Sequence, residues 1–336
     1  MKVGIYSPYF DTYGGGERYV LSMAEFFLRR GDKVVIFSKD LNLDEIKKRF
    51  NLNLEGIVCC DYNRFFSTIG LDLFIFLSDG SIPTTVAKHN WIHFQTPFAY
   101  TNQRTLANKL KLARFEKVIC NSNFTKSYID RTYGVSGAVI YPPVDVNKFK
   151  PGKKENIIIS VGRFLSPSHP KKQKILIEAF KRLKLKEWKL ILAGGGPVPE
   201  DIKMAAKKLS VQLDADCSFE TLRHYYAIAK IYWHAAGYGE DLETNPERAE
   251  HFGISTVEAM ASGCVPIVFA GGGQREIVTN GKDGYLWGNT GELQEQTKRV
   301  INNPKEAFLV ASQAQIDAQR YSKEKFYESL EKVINS

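Results

Sequence analysis

Cysteine is scarce in this 336-residue chain, which has five cysteines and no pair at the C-x-x-C spacing. A disulfide framework uses an even set of cysteines, and structural zinc sites use closely spaced cysteines or histidines, so neither is indicated. The six histidines show no metal-ligand spacing either. We therefore predict reduced thiols and no metal.

Long apolar runs are also missing. No segment approaches the roughly 20 apolar residues that span a bilayer, and the apolar stretch after Met1 is too short for a signal peptide. We therefore expect a cytoplasmic protein. Residues 104–117, where five cations surround Leu106, Leu110 and Leu112, are predicted to form either an ordinary surface helix or a helix at the inner face of an anionic membrane. We favour the first because the apolar stripe is short.

A third absence concerns dinucleotide binding. The triplet Gly14–Gly16 does not fit the Gly-x-Gly-x-x-Gly fingerprint, and the pair Ser38-Lys39 after the second predicted strand is a poor partner for a ribose hydroxyl. The sequence therefore argues against an NAD-dependent oxidoreductase.

What the chain does contain is an alternation of short apolar runs with amphipathic segments, which is typical of doubly wound α/β domains. The runs Lys117–Cys120 and Val265–Phe269 are two of the strands that this pattern predicts. The alternation restarts after the extended, polar stretch that begins at Tyr141-Pro142-Pro143. We predict a first Rossmann-like domain over residues 1–140, a linker over 141–155, a second Rossmann-like domain over 156–315 and a C-terminal helix within 316–336. The helix is indicated by the helical spacing of Tyr321, Phe326, Leu330 and Ile334.

Residues 250–276, which include a predicted three-glycine turn at Gly271–Gly273, carry the strongest chemical signal. Gly253 precedes an apolar-periodic helix, and a helix N-terminus offers unpaired amides to an anion such as phosphate. Glu250 and Glu258 flank this position, and carboxylates beside a phosphate are suited to accept hydrogen bonds from hydroxyls. Together these features predict a nucleotide-sugar site. The competing interpretations are an exposed loop carboxylate for Glu250 and a capping box, Ser255-x-x-Glu258, for Glu258.

The spacing Glu250-x7-Glu258, followed by Ala259-Met260-Ala261-x-Gly263-x-x-Pro266, resembles the donor-binding signature of retaining GT-B glycosyltransferases of the family 4 type. The resemblance implies two Rossmann-like domains facing a cleft and a final helix that crosses back to the first domain; a helix that stays on the second domain is the alternative. It also implies that Glu250 holds the transferred sugar and Glu258 the ribose. The start of the helix, at Gly253, Ile254 and Ser255, would bind the diphosphate.

The resemblance extends to basic residues of the second half. In the family, a Gly-Arg pair after the first strand of this domain and a lysine at the start of the next helix bind the donor phosphates. Arg163 and Lys171 occupy these positions, with Lys172 as the alternative to Lys171. Two cations there would neutralise the departing diphosphate without a metal.

Two segments of the first half match the family as well. The turn Gly15-Gly16-Glu17-Arg18 follows the first strand, where its amides would meet the donor's distal phosphate or the acceptor; a tight strand-to-helix connection is the plain alternative. His93 ends a predicted strand in a His-x-x-Pro-like setting. The resemblance implies that it contacts the donor sugar or the acceptor, whereas a buried core histidine is the plain alternative.

The predicted activity is that of a retaining, metal-independent hexosyltransferase that needs no cofactor beyond its nucleotide-sugar donor. GDP-mannose is the first candidate donor and a UDP-hexose the second, and the acceptor is expected to be a glycan or a lipid-linked glycan. The alternatives are a GT-B nucleotide-sugar epimerase and a non-catalytic nucleotide-sugar-binding protein. No nucleic-acid-binding motif accompanies the positive net charge, so no nucleic-acid partner is predicted.

Three features depart from the family pattern. The insert Ser166–Pro170 lengthens the loop between Arg163 and Lys171, and residues 237–250 form a long acidic loop before Glu250. His251 stands where many members have glycine. The histidine bears on the shape of the sugar subsite.

Overall fold

The computed structural model describes residues 1–10, 14–38, 41–99, 103–164 and 170–335, without the side chains of Glu45, Lys48 and Arg49. The chain divides into two compact units, one of Met1–Pro143 with Glu324–Ser336 and the other of Val144–Lys323. None of the helices within the described ranges has the length and apolar character needed to cross a membrane.

The first unit is a parallel sheet with helices packed on it. Its strands are β1 (Lys2–Tyr6), β2 (Lys33–Phe37), β3 (Val58–Cys60), β4 (Leu73–Leu77), β5 (His89–Phe94), β6 (Lys117–Cys120) and β7 (Ala138–Val139). Its helices before the linker are α1 (Gly15–Arg29), α2 (Leu43–Phe50), α3 (Leu106–Leu112) and α4 (Asn123–Tyr133). The strand order is β3-β2-β1-β4-β5-β6-β7, and every pairing is parallel. The order reverses between β1 and β4, and open α/β sheets bind ligands beyond the carboxyl ends of the strands at such a point.

The second unit repeats this architecture. Its strands are β8 (Glu155–Val161), β9 (Lys189–Gly194), β10 (Val211–Ala215), β11 (Ala229–His234), β12 (Val265–Phe269) and β13 (Tyr285–Trp287). Its helices are α5 (Gln173–Leu183), α6 (Glu200–Ala206), α7 (Phe219–Ile228), α8 (Ile254–Ala261), α9 (Gln274–Ile277), α10 (Thr290–Asn302) and α11 (Pro304–Ala318). The parallel order β10-β9-β8-β11-β12-β13 reverses between β8 and β11. The loops after β8 and β11 therefore flank the expected ligand position.

The last helix, α12 (Lys323–Ile334), packs in the first unit. Phe326 and Leu330 are buried in the same core as Tyr19, and the rings of Tyr19 and Phe326 meet edge to face at 5.0 Å. Tyr321 was predicted to share a helical face with them, but it lies before α12 and in the second unit, where its hydroxyl donates to the Glu276 carbonyl at 3.0 Å. The predicted helical segment is thus divided between the two units.

Candidate active site

The start of α8 is built around a glycine that no other residue replaces easily. Gly253 is the N-cap residue, with φ 124° and ψ 57°, a backbone conformation that residues with a Cβ rarely adopt. A Cβ at this position would lie 2.5 Å from the Gln274 amide nitrogen. The first-turn amides of Ile254 and Ser255 lack acceptors within the helix. Gly253, Ile254 and Ser255 therefore form a helix N-terminus, and the binding of a diphosphate there stays a prediction.

Glu250 lies three residues before this N-cap and has two basic partners. Its Oε2 atom accepts hydrogen bonds from Lys171 Nζ at 2.6 Å and from His234 Nε2 at 2.8 Å. Lys171 comes just before α5, and His234 is the last residue of β11. Segments from three parts of the chain thus meet at one carboxylate, next to the point where the strand order reverses.

The ionisation of this group follows from its surroundings. Burial alone would raise the pKa of the Glu250 carboxyl, but the charge of Lys171 and the hydrogen bonds from His234 and Lys171 outweigh burial and hold this pKa well below its usual range. Burial also lowers the pKa of His234, against the opposing effect of Glu250. Glu250 is therefore an anion at neutral pH, and a neutral His234 donates to it.

The backbone of Glu250 is fixed by the glycine turn Gly271–Gly273. The Gly273 amide donates to the Glu250 carbonyl at 2.8 Å, and a Cβ on Gly272 would lie 2.2 Å from that carbonyl oxygen. The turn therefore packs directly on the backbone of the segment that carries the Glu250 carboxylate. The sequence predicted the turn but not this contact.

The capping-box interpretation of Ser255 and Glu258 is wrong. Ser255 is the second residue of α8, not its N-cap, and its hydroxyl bonds to the Tyr232 hydroxyl at 2.8 Å. Glu258 is 8% exposed and accepts a long hydrogen bond, 3.4 Å, from the Tyr226 hydroxyl. Two buried tyrosines, which the sequence reasoning missed, thus line the inner side of the helix start.

Arg163 follows β8, on the other side of the strand reversal. Its carbonyl accepts from the Gln173 side chain at 3.0 Å, while its side chain is exposed. Within the described ranges its guanidinium has no ion-pair partner. The predicted insert lies outside the described residues, apart from Pro170.

Lys172, the alternative phosphate ligand, has a different environment from Lys171. Its ammonium group is paired with Glu240, which also bonds to Arg248 at 2.8 Å. The hydrogen bond from Lys172, with a further contribution from Arg248, lowers the pKa of Glu240 below its usual value. Glu240 and Arg248 lie in the long acidic loop, so this loop is tied to the start of α5.

The candidate residues of the first unit lie at the carboxyl ends of its central strands. Gly15 and Gly16 open α1, and the Gln95 side chain donates to the Gly16 carbonyl at 3.0 Å. His93 is fully buried, and its ring stacks on Tyr19 with centroids 4.1 Å apart. Burial lowers the pKa of His93 to about 3, and neither ring nitrogen makes a well-formed hydrogen bond. A contact between His93 and a sugar remains a prediction.

Two acidic residues at the end of β10 have structural partners. Asp214 accepts from the Tyr225 hydroxyl at 2.5 Å, and Asp216 accepts from the Gly196 amide at 2.9 Å. In the part of the chain that the structure describes, no three His, Cys, Asp or Glu side chains are grouped so as to hold a metal ion.

Two parallel-sheet units, one of which has a helix N-terminus beside an acid–base cluster, have the arrangement that the sequence predicts for an enzyme acting on nucleotide-sugars. Residues 143–316 match the family model for glycosyl transferases group 1. Because this match covers more than half of the sequence, the chain belongs to the glycosyl transferases group 1 family. It is a hexosyltransferase that moves a sugar from a nucleotide-sugar.

Individual relatives agree with this membership. An uncharacterized glycosyltransferase of Haemophilus influenzae is 23% identical over 99% of both chains. The human GDP-Man:Man(3)GlcNAc(2)-PP-Dol alpha-1,2-mannosyltransferase is 25% identical over 97% of this chain and 85% of its own.

Solved structures show the same fold. A glycosyltransferase of Rickettsia africae superposes with a TM-score of 0.79 at 16% identity, covering 99% of this chain and 97% of its own. Anabaena HepE in complex with UDP gives a TM-score of 0.75 at 16% identity, over the full length of both chains. The fold is therefore GT-B.

Proposed function

We propose that this enzyme is a retaining glycosyltransferase of the family 4 type that transfers mannose from GDP-mannose, without a metal, to a glycan or lipid-linked glycan. The observation that carries the proposal is the ionised Glu250, held by Lys171 and His234 three residues before the N-cap of α8. The human relative and others at similar identity carry GDP-mannose or mannosyltransferase in their names, which favours mannose over other hexoses.

In this proposal the donor diphosphate lies at the start of α8, against the amides at Ile254 and Ser255. Arg163 and the remaining donors of the Lys171 ammonium group neutralise the charge that develops on the leaving diphosphate. Glu250 accepts hydrogen bonds from hydroxyls of the transferred sugar, and Glu258 from the ribose. The acceptor attacks from the face that the diphosphate leaves, and the leaving phosphate takes the acceptor's proton.

The first test is donor binding followed by product analysis. At 100 times its dissociation constant, the correct donor should stabilise the protein by about 2.7 kcal/mol. We therefore expect a clear rise in melting temperature with GDP-mannose in EDTA, and mannosyl transfer with retained anomeric configuration. A rise with a UDP-hexose alone would assign the donor to that second candidate, favoured by the UDP complex of HepE. Inverted product, or a strict need for a divalent cation, would contradict the proposed mechanism.

We also propose a peripheral membrane contact through α3. Leu106 and Leu110 lie one helical turn apart and are 74% and 66% exposed, and the segment 103–115 contains no acidic residue. Lys109 and Arg114 are exposed beside them. Exposed leucines flanked by cations suit the surface of an anionic bilayer, where each cation contributes about 1 kcal/mol.

Vesicle co-sedimentation tests this contact. With phosphatidylglycerol-containing vesicles at low salt, we expect the Leu106→Ser/Leu110→Ser variant to bind roughly tenfold more weakly than the wild type, because two apolar side chains no longer enter the bilayer. Leu309→Ser is the matched control, since Leu309 is 67% exposed on α11 of the other unit. Equal binding by the double variant and the wild type would refute the role of α3.

A further inference from the structure

His234 is the one member of the acid–base cluster that the sequence reasoning did not select. It is the last residue of β11, and only 3% of its surface is exposed. Its Nε2 atom lies 2.8 Å from Glu250 Oε2, and its Nδ1 atom is buried without a hydrogen-bond partner. A buried histidine with a single polar contact has one of two roles: it makes that hydrogen bond, or it only fills space in the core.

The direction of the hydrogen bond is fixed by chemistry. An ionised carboxylate can only accept, so the proton of the ring must be on Nε2. With Nδ1 unpartnered, His234 has one available donor, and that donor faces Glu250. The ring therefore makes a single hydrogen bond, which it donates to Glu250.

Both partners of Glu250 use the same oxygen. Lys171 Nζ and His234 Nε2 approach Oε2 at 2.6 and 2.8 Å, while Oε1 has no hydrogen bond to any residue in the described ranges. Lys171 ends a flexible four-carbon side chain, whereas the imidazole is rigid and lies on a central strand. Two donors on Oε2 hold the carboxylate by one oxygen and leave Oε1 to a substrate.

We propose that His234 is a positioning residue that holds the Glu250 carboxylate so that Oε1 meets a hydroxyl of the transferred sugar. The inference rests on the proposed function of Glu250. A misplaced reacting or binding group can cost up to about 100-fold in rate. Loss of the His234 hydrogen bond should therefore lower kcat more than it weakens donor binding.

The test compares two replacements that differ in hydrogen bonding. His234→Gln places an amide N–H close to the position of Nε2, whereas His234→Leu fills similar space without a donor. We expect His234→Leu to lower kcat by about 10- to 100-fold with the donor KM changed by less than about threefold, and His234→Gln to recover at least a third of wild-type kcat. Activity of His234→Leu equal to the wild type, or no recovery with His234→Gln, would overturn the inference.

A double-mutant cycle separates positioning from general damage. In a Glu250→Gln background, adding His234→Leu should lower kcat by less than about twofold, because there is no carboxylate left to orient. A full additional loss would assign His234 to packing and overturn the inference. If His234→Leu does not fold, His234→Asn, whose amide is too short to reach Glu250, takes its place in both comparisons.

The same assays distinguish this inference from the proposed function. A wild-type protein that folds but neither binds nor turns over any nucleotide-sugar would overturn the proposed function, and the role of His234 with it. An active wild type whose kcat is unaffected by His234→Leu would overturn only the role of His234.

Discussion

Replacing Glu250 by glutamine is expected to lower kcat by on the order of 100- to 1,000-fold while the protein stays folded. The amide cannot accept from Lys171 and His234 through its nitrogen, so its oxygen turns toward them and its NH₂ group faces the substrate. A donor then stands where an acceptor for sugar hydroxyls is required. Initial-rate assays with saturating donor, and a melting curve for each protein, measure the two parts of this expectation.

Glu243→Gln is the matched control for Glu250→Gln. Glu243 belongs to the same acidic loop but is exposed, and within the described ranges its backbone amide, not its carboxylate, makes a hydrogen bond, to Asp241 at 3.1 Å. This variant should keep wild-type kcat. Wild-type turnover by Glu250→Gln would remove Glu250 from the mechanism, and an equal loss in both variants would point to the charge of the loop instead.

Gly272→Ala is expected to destabilise the second unit by about 3 kcal/mol or more and to reduce activity at the same time. Gly272 has φ 61°, and a Cβ there would lie 2.2 Å from the Glu250 carbonyl oxygen and 3.0 Å from the Ala249 Cβ. To relieve this overlap, the backbone segment that carries Glu250 must move away from Lys171 and His234. Stability and catalysis should therefore fall together.

Gly281→Ala isolates the cost of the backbone conformation. Gly281 has φ 78°, close to that of Gly272, but a Cβ there meets nothing within 4 Å. We expect a loss of only about 1–2 kcal/mol and unchanged kcat. Denaturant unfolding and initial rates measure both variants; similar losses for the two would show that the packing of the turn on Glu250 contributes little.

Much of the fold followed from local patterns. The strand at Lys117–Cys120 and the strand at Val265–Phe269 were predicted at their observed bounds, because short apolar runs bounded by turn residues have few alternatives in an α/β chain. The end of α11 at Ala318, before Tyr321, was not predicted. Tyr321, Phe326 and Leu330 have helical spacing, but a break at Gln319–Tyr321 sends Tyr321 to the second unit and the other two to the first.

The sequence by itself determined the two doubly wound units, the glycine before α8 and the selection of Glu250 as a candidate site residue, since each depends on composition and spacing along a short stretch. Only the tertiary structure decided which groups meet there. Lys171 and His234 lie 79 and 16 positions from Glu250 and reach one oxygen because the strand order places the ends of β8 and β11 side by side. Strand order is set by packing of the whole sheet, so no local pattern encodes that contact.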